Sequence, residues 1–277
     1  MSVTLSSVRF LSAGWCRQSA RLAGAGPDAK GGMRFYAVFV HFVHPVHGSC
    51  LIDTGYSDEF FHATKPFPAQ FYRWITPVDL GDPPGPRGQL SRIGVDPDGV
   101  RQVFVSHFHA DHVGGVKSFP EAKFLYRPET LARLRQQSVG TQVRHGFLRD
   151  LLPQDFEARG VPLEESRFVP GTGEWSEFSV CDYWNDGSLL LVDLPGHADG
   201  HFGFVLRTAE RSVFYIVDAC WILDSMLSGR RLPWISRRFQ HDEAAYHATH
   251  DKLRRLTERT GLELVACHCP RTLRYVT

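Results

Sequence analysis

Four side chains of metal-binding type lie within six consecutive positions: His107, His109, Asp111 and His112. Imidazole nitrogens and carboxylate oxygens are the ligands that suit zinc and other borderline divalent ions. A surface cluster of histidines or a chance grouping is the alternative. The four residues directly follow an apolar, strand-like run, which favours the metal site over that alternative.

A strand is predicted at residues 101–106 (RQVFVS), and it ends immediately before His107. At the end of a strand, residues two positions apart lie on the same side, so His107 and His109 are expected to point the same way. A turn and a helix that starts near Gly114 and Gly115 are expected to bring Asp111 and His112 to that side too.

Other predicted strands also end in histidine or aspartate, at Asp53, Asp218 and His268. A polar cluster at the ends of core strands is how a rigid scaffold presents a reactive site. The predicted strands are 34–43, 50–53, 101–106, 123–126, 188–194, 203–207, 212–218 and 262–267. The first two are predicted to form a hairpin that turns at His47 and Gly48.

Two helices and one long loop complete the expected elements. Residues 128–135 are predicted to form a helix with Pro128 in its first turn. Residues 242–260 are predicted to form a longer helix, which Asp242 caps and Gly261 ends. Residues 60–86 are rich in aromatic residues and proline and are predicted to form an ordered loop whose aromatic side chains are buried.

The His-x-His-x-Asp-His motif at 107–112 resembles the signature of the metallo-β-lactamase superfamily. The segments LIDTG at 51–55 and PGHADGH at 195–201 resemble further landmarks of that family, in the expected order. Asp218 and His268 lie where the family places its bridging carboxylate and its final ligand. The resemblance implies an α/β (α+β) fold: an αββα sandwich of two mixed β-sheets flanked by helices, formed by residues 1–277 as a single domain.

The resemblance also implies a two-metal site with no organic cofactor. The implied ligands are His107, His109, Asp111, His112, His197, Asp218 and His268. One ion would take His107, His109 and His197, the other Asp111, His112 and His268, with Asp218 and a hydroxide between them. Zinc is the expected metal, and manganese, iron and cobalt accept the same donors. Asp53 is expected to orient a ligating imidazole, and His201 either orients the His197 loop or has no special role.

Asp111 and Asp218 are the expected catalytic residues of a hydrolase in which the hydroxide attacks a carbonyl and Asp111 moves the proton. Within the superfamily, residues 7–16 and 218–220 resemble those of the N-acyl homoserine lactone lactonases. The resemblance therefore implies cleavage of an ester-type bond, such as the lactone of an N-acyl homoserine lactone. The alternatives are a thioester or phosphoester hydrolase that uses the same site, and a metal-containing binding or effector protein with little turnover.

Trp221 is a departure from the lactonases, which place a tyrosine three residues after the bridging aspartate. An indole N–H donates one hydrogen bond but cannot serve as a general acid near neutral pH. Trp221, Phe67, Phe71 and Trp74 are the expected lining of a pocket for the apolar part of a small-molecule substrate.

Composition limits the partners. The net charge is +1, from 31 basic and 30 acidic side chains, which argues against a nucleic-acid or anionic-membrane surface. No signal peptide or membrane span is recognisable, and the six cysteines form no CxxC pair. A cytoplasmic protein with reduced, buried cysteines that are not metal ligands is expected, and a homodimer is compatible with the sequence.

Overall fold

The computed structural model describes residues 3–277, which contain thirteen strands and nine α-helices. The strands are β1 (Ser7–Ser19), β2 (Gly32–His44), β3 (Gly48–Ile52), β4 (Val78–Asp79), β5 (Val100–Phe104), β6 (Lys123–Tyr126), β7 (Gly160–Pro162), β8 (Val169–Pro170), β9 (Ser179–Asp182), β10 (Leu189–Asp193), β11 (Phe202–Arg207), β12 (Ser212–Val217) and β13 (Glu263–Ala266). The helices are α1 (Glu59–Ala63), α2 (Ala69–Ile75), α3 (Gly85–Arg92), α4 (Ala110–Val113), α5 (Pro128–Gln136), α6 (Val139–Arg144), α7 (Leu223–Leu227), α8 (Trp234–Arg237) and α9 (Glu243–Thr260).

The chain divides into two compact units. The first unit comprises residues 8–17, 34–163 and 275–277, and the second comprises residues 3–7, 18–33 and 164–274. That residues 1–277 form a single domain stays a prediction.

The first unit contains most of a seven-stranded mixed sheet in the order β4-β1-β2-β3-β5-β6-β7. The predicted hairpin is confirmed, because β2 and β3 pair antiparallel with Val43 opposite Ser49. Strands β3, β5, β6 and β7 run parallel to one another. The carboxyl ends of neighbouring parallel strands lie at one sheet edge, so Asp53 and His107 follow β3 and β5 at the same edge.

The second unit contains a six-stranded mixed sheet in the order β13-β12-β11-β10-β9-β8. Only β12 and β13 pair in parallel, and Asp218 and His268 follow their carboxyl ends. Helices α7 and α9 cover an apolar core on this sheet, in which Met226 and Leu253 pack with Phe214. Burial of such side chains is the main term that stabilises the sheet, at about 25 cal/mol per Å² of apolar surface.

The prediction of a loop at residues 60–86 is wrong. This stretch contains the end of α1, all of α2 and β4, and the start of α3. Pro68 precedes the first turn of α2 and Pro86 lies within the first turn of α3, positions where proline costs a helix no hydrogen bond. The prolines therefore mark the beginnings of helices.

The expected burial of the aromatic residues in this stretch is only partly correct. Phe60 is fully buried, whereas the side chains of Phe67 and Trp74 are 73% and 65% exposed. Phe71 lies between them in edge-to-face contacts at 5.6 and 5.1 Å between ring centroids. A helix of seven residues buries only one face; Phe71 and Trp74 lie on the exposed side of α2, and Phe67 lies two residues before the helix begins.

Two further expectations concern the helices. A helix was expected to start near Gly114 and Gly115, and a short 3₁₀ helix does follow Gly115, at Val116–Ser118. Asp111 and His112 lie earlier, within α4, which begins at Ala110. The long helix α9 is confirmed: the Asp242 carboxylate accepts a hydrogen bond from the Ala245 N–H, and Gly261 ends the helix at φ 67°. Within residues 3–277, none of the helices combines the length and the apolar character needed to cross a bilayer.

Candidate metal centre

In the first unit, the segment after β5 is fixed by backbone hydrogen bonds to both neighbouring strands. The Asp53 N–H donates to the Phe104 carbonyl, and the Val105 N–H donates to the Leu125 carbonyl. His107 follows with 2% of its surface exposed, and its Nδ1 lies 3.0 Å from the Ser106 hydroxyl. The strand end thus fixes the histidine before any ion binds.

Asp53 is a fully buried carboxylate that organises this end of the sheet. It accepts hydrogen bonds from the Ser106 N–H and hydroxyl at 2.9 and 2.8 Å, and it lies 2.8 Å from Nδ1 of His112. Burial raises the pKa of the Asp53 carboxyl, whereas its contacts with His112 and Ser106 favour the ionised form. This contact at Nδ1 orients the His112 imidazole so that its Nε2 points away from Asp53 and lies 3.6 Å from the Asp111 carboxylate.

The helix α4 brings Asp111 and His112 beside the two preceding histidines. The ring centroids of His107 and His112 lie 4.1 Å apart, and those of His107 and His109 lie 4.5 Å apart. The Thr54 N–H and hydroxyl both donate to the His112 carbonyl at 2.9 Å, which anchors the helix on the segment after β3. The first unit therefore gathers all four residues of the motif.

In the second unit, His197 lies on a loop that packs against the start of α9. Gly196 has φ 126°, and a Cβ there would lie 2.1 Å from the Tyr246 nitrogen, so only glycine fits this approach. The His241 and Asp242 N–H groups donate to the carbonyls of His197 and Gly196. Nδ1 of His197 lies 3.0 Å from Oε1 of Gln240, which fixes the ring orientation.

The Asp218 carboxylate lies between two imidazoles. Its Oδ2 is 3.2 Å from Nε2 of His197 and 3.0 Å from Nε2 of His268. The Asp218 N–H donates to Nε2 of His201, whose Nδ1 lies 2.9 Å from the Leu194 carbonyl and is therefore the protonated nitrogen. His201 thus holds the backbone at Asp218, a role that sequence reasoning left open. The three residues predicted to bind metal from this unit lie together.

Two residues of α9 that sequence reasoning did not place near the site lie close to this cluster. His250 is buried, and its Nε2 lies 2.7 Å from the Ala219 carbonyl. Burial lowers the pKa of His250 to about 4, so the ring is neutral and donates to that carbonyl. Burial raises the pKa of Tyr246 well above its usual range, and Cys220 and Asp218 reinforce this. The spacing of residues along α9 does not indicate that His250 and Tyr246 lie near the cluster.

The residues predicted to line a pocket fall into two groups. Trp221 lies beside His197, with ring centroids 6.1 Å apart and nearly perpendicular planes. Phe67, just before α2, forms an exposed cluster in the first unit with Phe71 and Trp74 of α2. That all four residues line one pocket stays a prediction.

The donor set fits a divalent metal of the zinc type. The predicted ligands comprise five imidazoles and two carboxylates, and all except His109 are buried. Buried ionisable groups in such number are costly unless they are hydrogen-bonded or bind metal. Their outer nitrogens already contact Asp53, Ser106 and Gln240, as is usual for metal-binding histidines.

Comparison with known families identifies the superfamily of the chain. Residues 33–215 match the model of the metallo-beta-lactamase superfamily, which is well over half of the chain. The chain belongs to the metallo-β-lactamase superfamily. The resemblance inferred from the His-x-His-x-Asp-His motif is thereby confirmed.

Among curated proteins, the chain is similar to the N-acyl homoserine lactonase AttM of Rhizobium johnstonii, with 30% identity over 186 residues. The match covers 66% of this chain and 63% of that relative, so it spans less than two thirds of the relative's length. The N-acyl homoserine lactonase AiiB of Agrobacterium fabrum is 23% identical over 238 residues, which cover 83% of this chain and 79% of AiiB.

Solved structures confirm the expected fold class of two mixed sheets with flanking helices. An N-acyl homoserine lactone hydrolase with N-hexanoyl-L-homoserine bound at its catalytic metal centre matches with a TM-score of 0.73 at 15% identity, over 100% of this chain and 98% of that one. AidC, a dizinc quorum-quenching lactonase, matches with a TM-score of 0.65 at 14% identity, over 98% of this chain and 90% of AidC.

Proposed function

We propose that this protein is a metal-dependent hydrolase of lactones, with N-acyl homoserine lactones as the substrate class. The observation that carries the proposal is the Asp218 carboxylate, whose Oδ2 lies within 3.2 Å of the Nε2 atoms of both His197 and His268. A carboxylate placed between two imidazoles suits a bridge between two ions. Together with the first-unit motif it supplies a full donor set for a dinuclear centre.

In the proposed centre, His107, His109 and His197 would hold one ion, Asp111, His112 and His268 would hold the other, and Asp218 would be a further ligand. When bound, two divalent ions activate a water as nucleophile and polarise the scissile carbonyl. Asp53 holds His112 in the orientation that presents Nε2. Gln240 does the same for His197.

Asp111 is the proposed proton carrier. Its side chain is mostly buried but retains some exposure, and it lies 3.6 Å from Nε2 of His112. A carboxylate in that position takes a proton from the attacking water and passes it to the leaving alkoxide. Opening a lactone needs this transfer because the departing alkoxide is strongly basic and is a poor leaving group until its oxygen is protonated.

The relatives support the lactone class, and Trp221 defines how this chain would differ from them. Its indole beside His197 contributes one N–H donor and a large apolar face. An acyl chain can pack on the apolar face of the indole. Trp221 lacks the hydroxyl of a tyrosine, so it cannot donate a phenolic proton to the reaction. We therefore expect turnover to depend more on the ions and Asp111 than on an aromatic hydroxyl.

The test is hydrolysis of N-acyl homoserine lactones of graded acyl length by the zinc-loaded protein, with metal content measured on the same sample. We expect about two ions per chain and opening of the lactone. The variant Asp218→Asn is expected to lose about 100-fold or more in kcat/KM together with bound metal. Asp224→Asn is the matched control, because Asp224 is an exposed carboxylate of the same unit that pairs with Arg271.

Aryl phosphotriesters and acyl thioesters are assayed in parallel. Faster turnover of either class than of every lactone would contradict the proposed substrate while leaving the metal centre intact. Retention of metal and full activity in Asp218→Asn would contradict the proposed centre itself.

A further inference from the structure

Cys267 lies directly before His268 and is completely buried. Its backbone N–H donates to the Val217 carbonyl at 2.8 Å, one residue before Asp218. The parallel pairing of β12 with β13 places Ala266 opposite Val217. This backbone geometry brings Cys267 next to Asp218, although 48 residues separate them in the chain.

The side chains meet as well as the backbones. The Cys267 sulfur, a carboxylate oxygen of Asp218 and a ring nitrogen of His268 all lie within 4.8 Å of one another. Two ligands of one tetrahedral zinc lie about 3.5 Å apart, so side-chain movements of about 1 Å would bring all three onto a shared ion. Aspartate, cysteine and histidine are also the three side-chain types that zinc binds most often.

The other cysteines near this site have different surroundings. Cys220 and Cys269 lie in the apolar core under α7 and α9, among residues such as Leu223 and Met226. Cys269 also accepts a hydrogen bond from the Leu223 N–H. These two behave as small apolar residues, the role expected from the sequence for all three.

We propose that Cys267 is a metal ligand, whose sulfur binds the same ion as Asp218 and His268. Binding forms a metal–sulfur bond and releases the thiol proton to solvent. The inference rests on the proposed metal centre and adds a soft donor to it. A sulfur ligand favours zinc over manganese at this position, because manganese prefers oxygen donors.

The test is X-ray absorption spectroscopy of the full-length protein loaded with zinc, supported by the absorption spectrum of the cobalt-loaded form. We expect a zinc–sulfur distance of about 2.3 Å beside shorter zinc–nitrogen and zinc–oxygen distances. The cobalt form is expected to show a thiolate-to-cobalt charge-transfer band in the near ultraviolet. Cys267→Ala should lose both signals, and its affinity for one of its zinc ions should fall about tenfold or more.

Cys269→Ala is the matched control, since it removes a buried sulfur two residues away, and it should retain both signals. If the wild-type protein binds zinc and hydrolyses lactone, but its zinc has only nitrogen and oxygen neighbours, the sulfur ligand is overturned and the proposed function is not. A sulfur signal that persists in Cys267→Ala would overturn it too. Protein that binds no metal would overturn the proposed centre together with this inference.

Discussion

Among single residues, burial changes the pKa of ionisable side chains. His41 on β2 is only 3% exposed, and its Nε2 lies 2.9 Å from the Ser49 hydroxyl. Burial, reinforced by the charge of Arg9, lowers the pKa of His41 from 6.5 to about 4. The ring is therefore neutral in the folded protein at neutral pH, and it is protonated more readily when the chain unfolds.

The pKa of His41 gives a pH dependence of stability. Because the folded pKa lies below the unfolded one, the stabilisation is complete above pH 6.5 and is lost as the pH falls from 6.5 towards 4. We expect the loss to be about 3 kcal/mol at pH 4, and His41→Gln to abolish it. Urea unfolding of both proteins at pH 7, 5.5 and 4 measures the difference. A constant difference between the two at all three values would contradict the assignment.

Tyr246 is the second residue whose burial has a measurable consequence. Its hydroxyl is buried and, among residues 3–277, makes no hydrogen bond. Removing a buried hydroxyl that lacks a partner removes its desolvation cost, so Tyr246→Phe should raise the free energy of unfolding by about 1 kcal/mol. Denaturant unfolding at pH 7 checks the sign. A lower stability would mean that the hydroxyl is hydrogen-bonded in solution, by water for example.

At the scale of elements, α9 is the helix on which the second-unit ligands depend. Its start holds the His197 loop through the His241 and Asp242 N–H groups. Further along, the Thr249 hydroxyl donates to the Pro195 carbonyl, and His250 contacts the Ala219 carbonyl. One amphipathic helix and its N-cap thus hold the backbone leading up to His197 and the carbonyl directly after Asp218.

The N-cap of α9 can be tested separately from the ligands. Asp242→Ala removes the carboxylate that accepts from the Ala245 N–H, and we expect a loss of about 1 kcal/mol in stability. Asp242→Asn keeps a side-chain acceptor, so its free energy of unfolding should fall by only a few tenths of a kcal/mol. Thermal unfolding of the two variants gives the comparison. Because the N-cap residue also positions the His197 loop, Asp242→Ala should bind metal more weakly than Asp242→Asn. Equal metal affinity in the two variants would show that the N-cap does not affect the metal site.

At the scale of the whole molecule, metal binding is expected to add to the stability of the folded chain. A ligand that binds only the folded state stabilises it by about 4 kcal/mol when its concentration is a thousand times the dissociation constant. Removing the metal with a chelator should therefore lower Tm by about 10 °C for a chain of this size.

Hydrogen exchange measured by mass spectrometry locates the effect of chelation. Faster exchange is expected both at residues 106–115 of the first unit and at residues 195–201 of the second. Zinc added back should reverse it, whereas calcium should not, because calcium prefers oxygen ligands. Unchanged exchange at either segment would contradict the proposed ligands that lie in it.

Features that depend on local chemistry could be predicted from the amino-acid sequence. The spacing of His107, His109, Asp111 and His112 predicted a metal-binding motif, because side-chain type and strand-end geometry are both local. The hairpin of β2 and β3 and the helix α9 were predicted for the same reason: their turn, cap and periodicity are written in consecutive residues.

Contacts between distant groups became known from the three-dimensional fold. The contact of Gln240 with His197 joins residues 43 positions apart, and the pairing of β12 with β13 brings Cys267 beside Asp218. The exposure of Phe67 and Trp74 likewise followed from which face of α2 is covered. Such outcomes depend on the packing of elements against one another, and a single sequence carries no local signal for it.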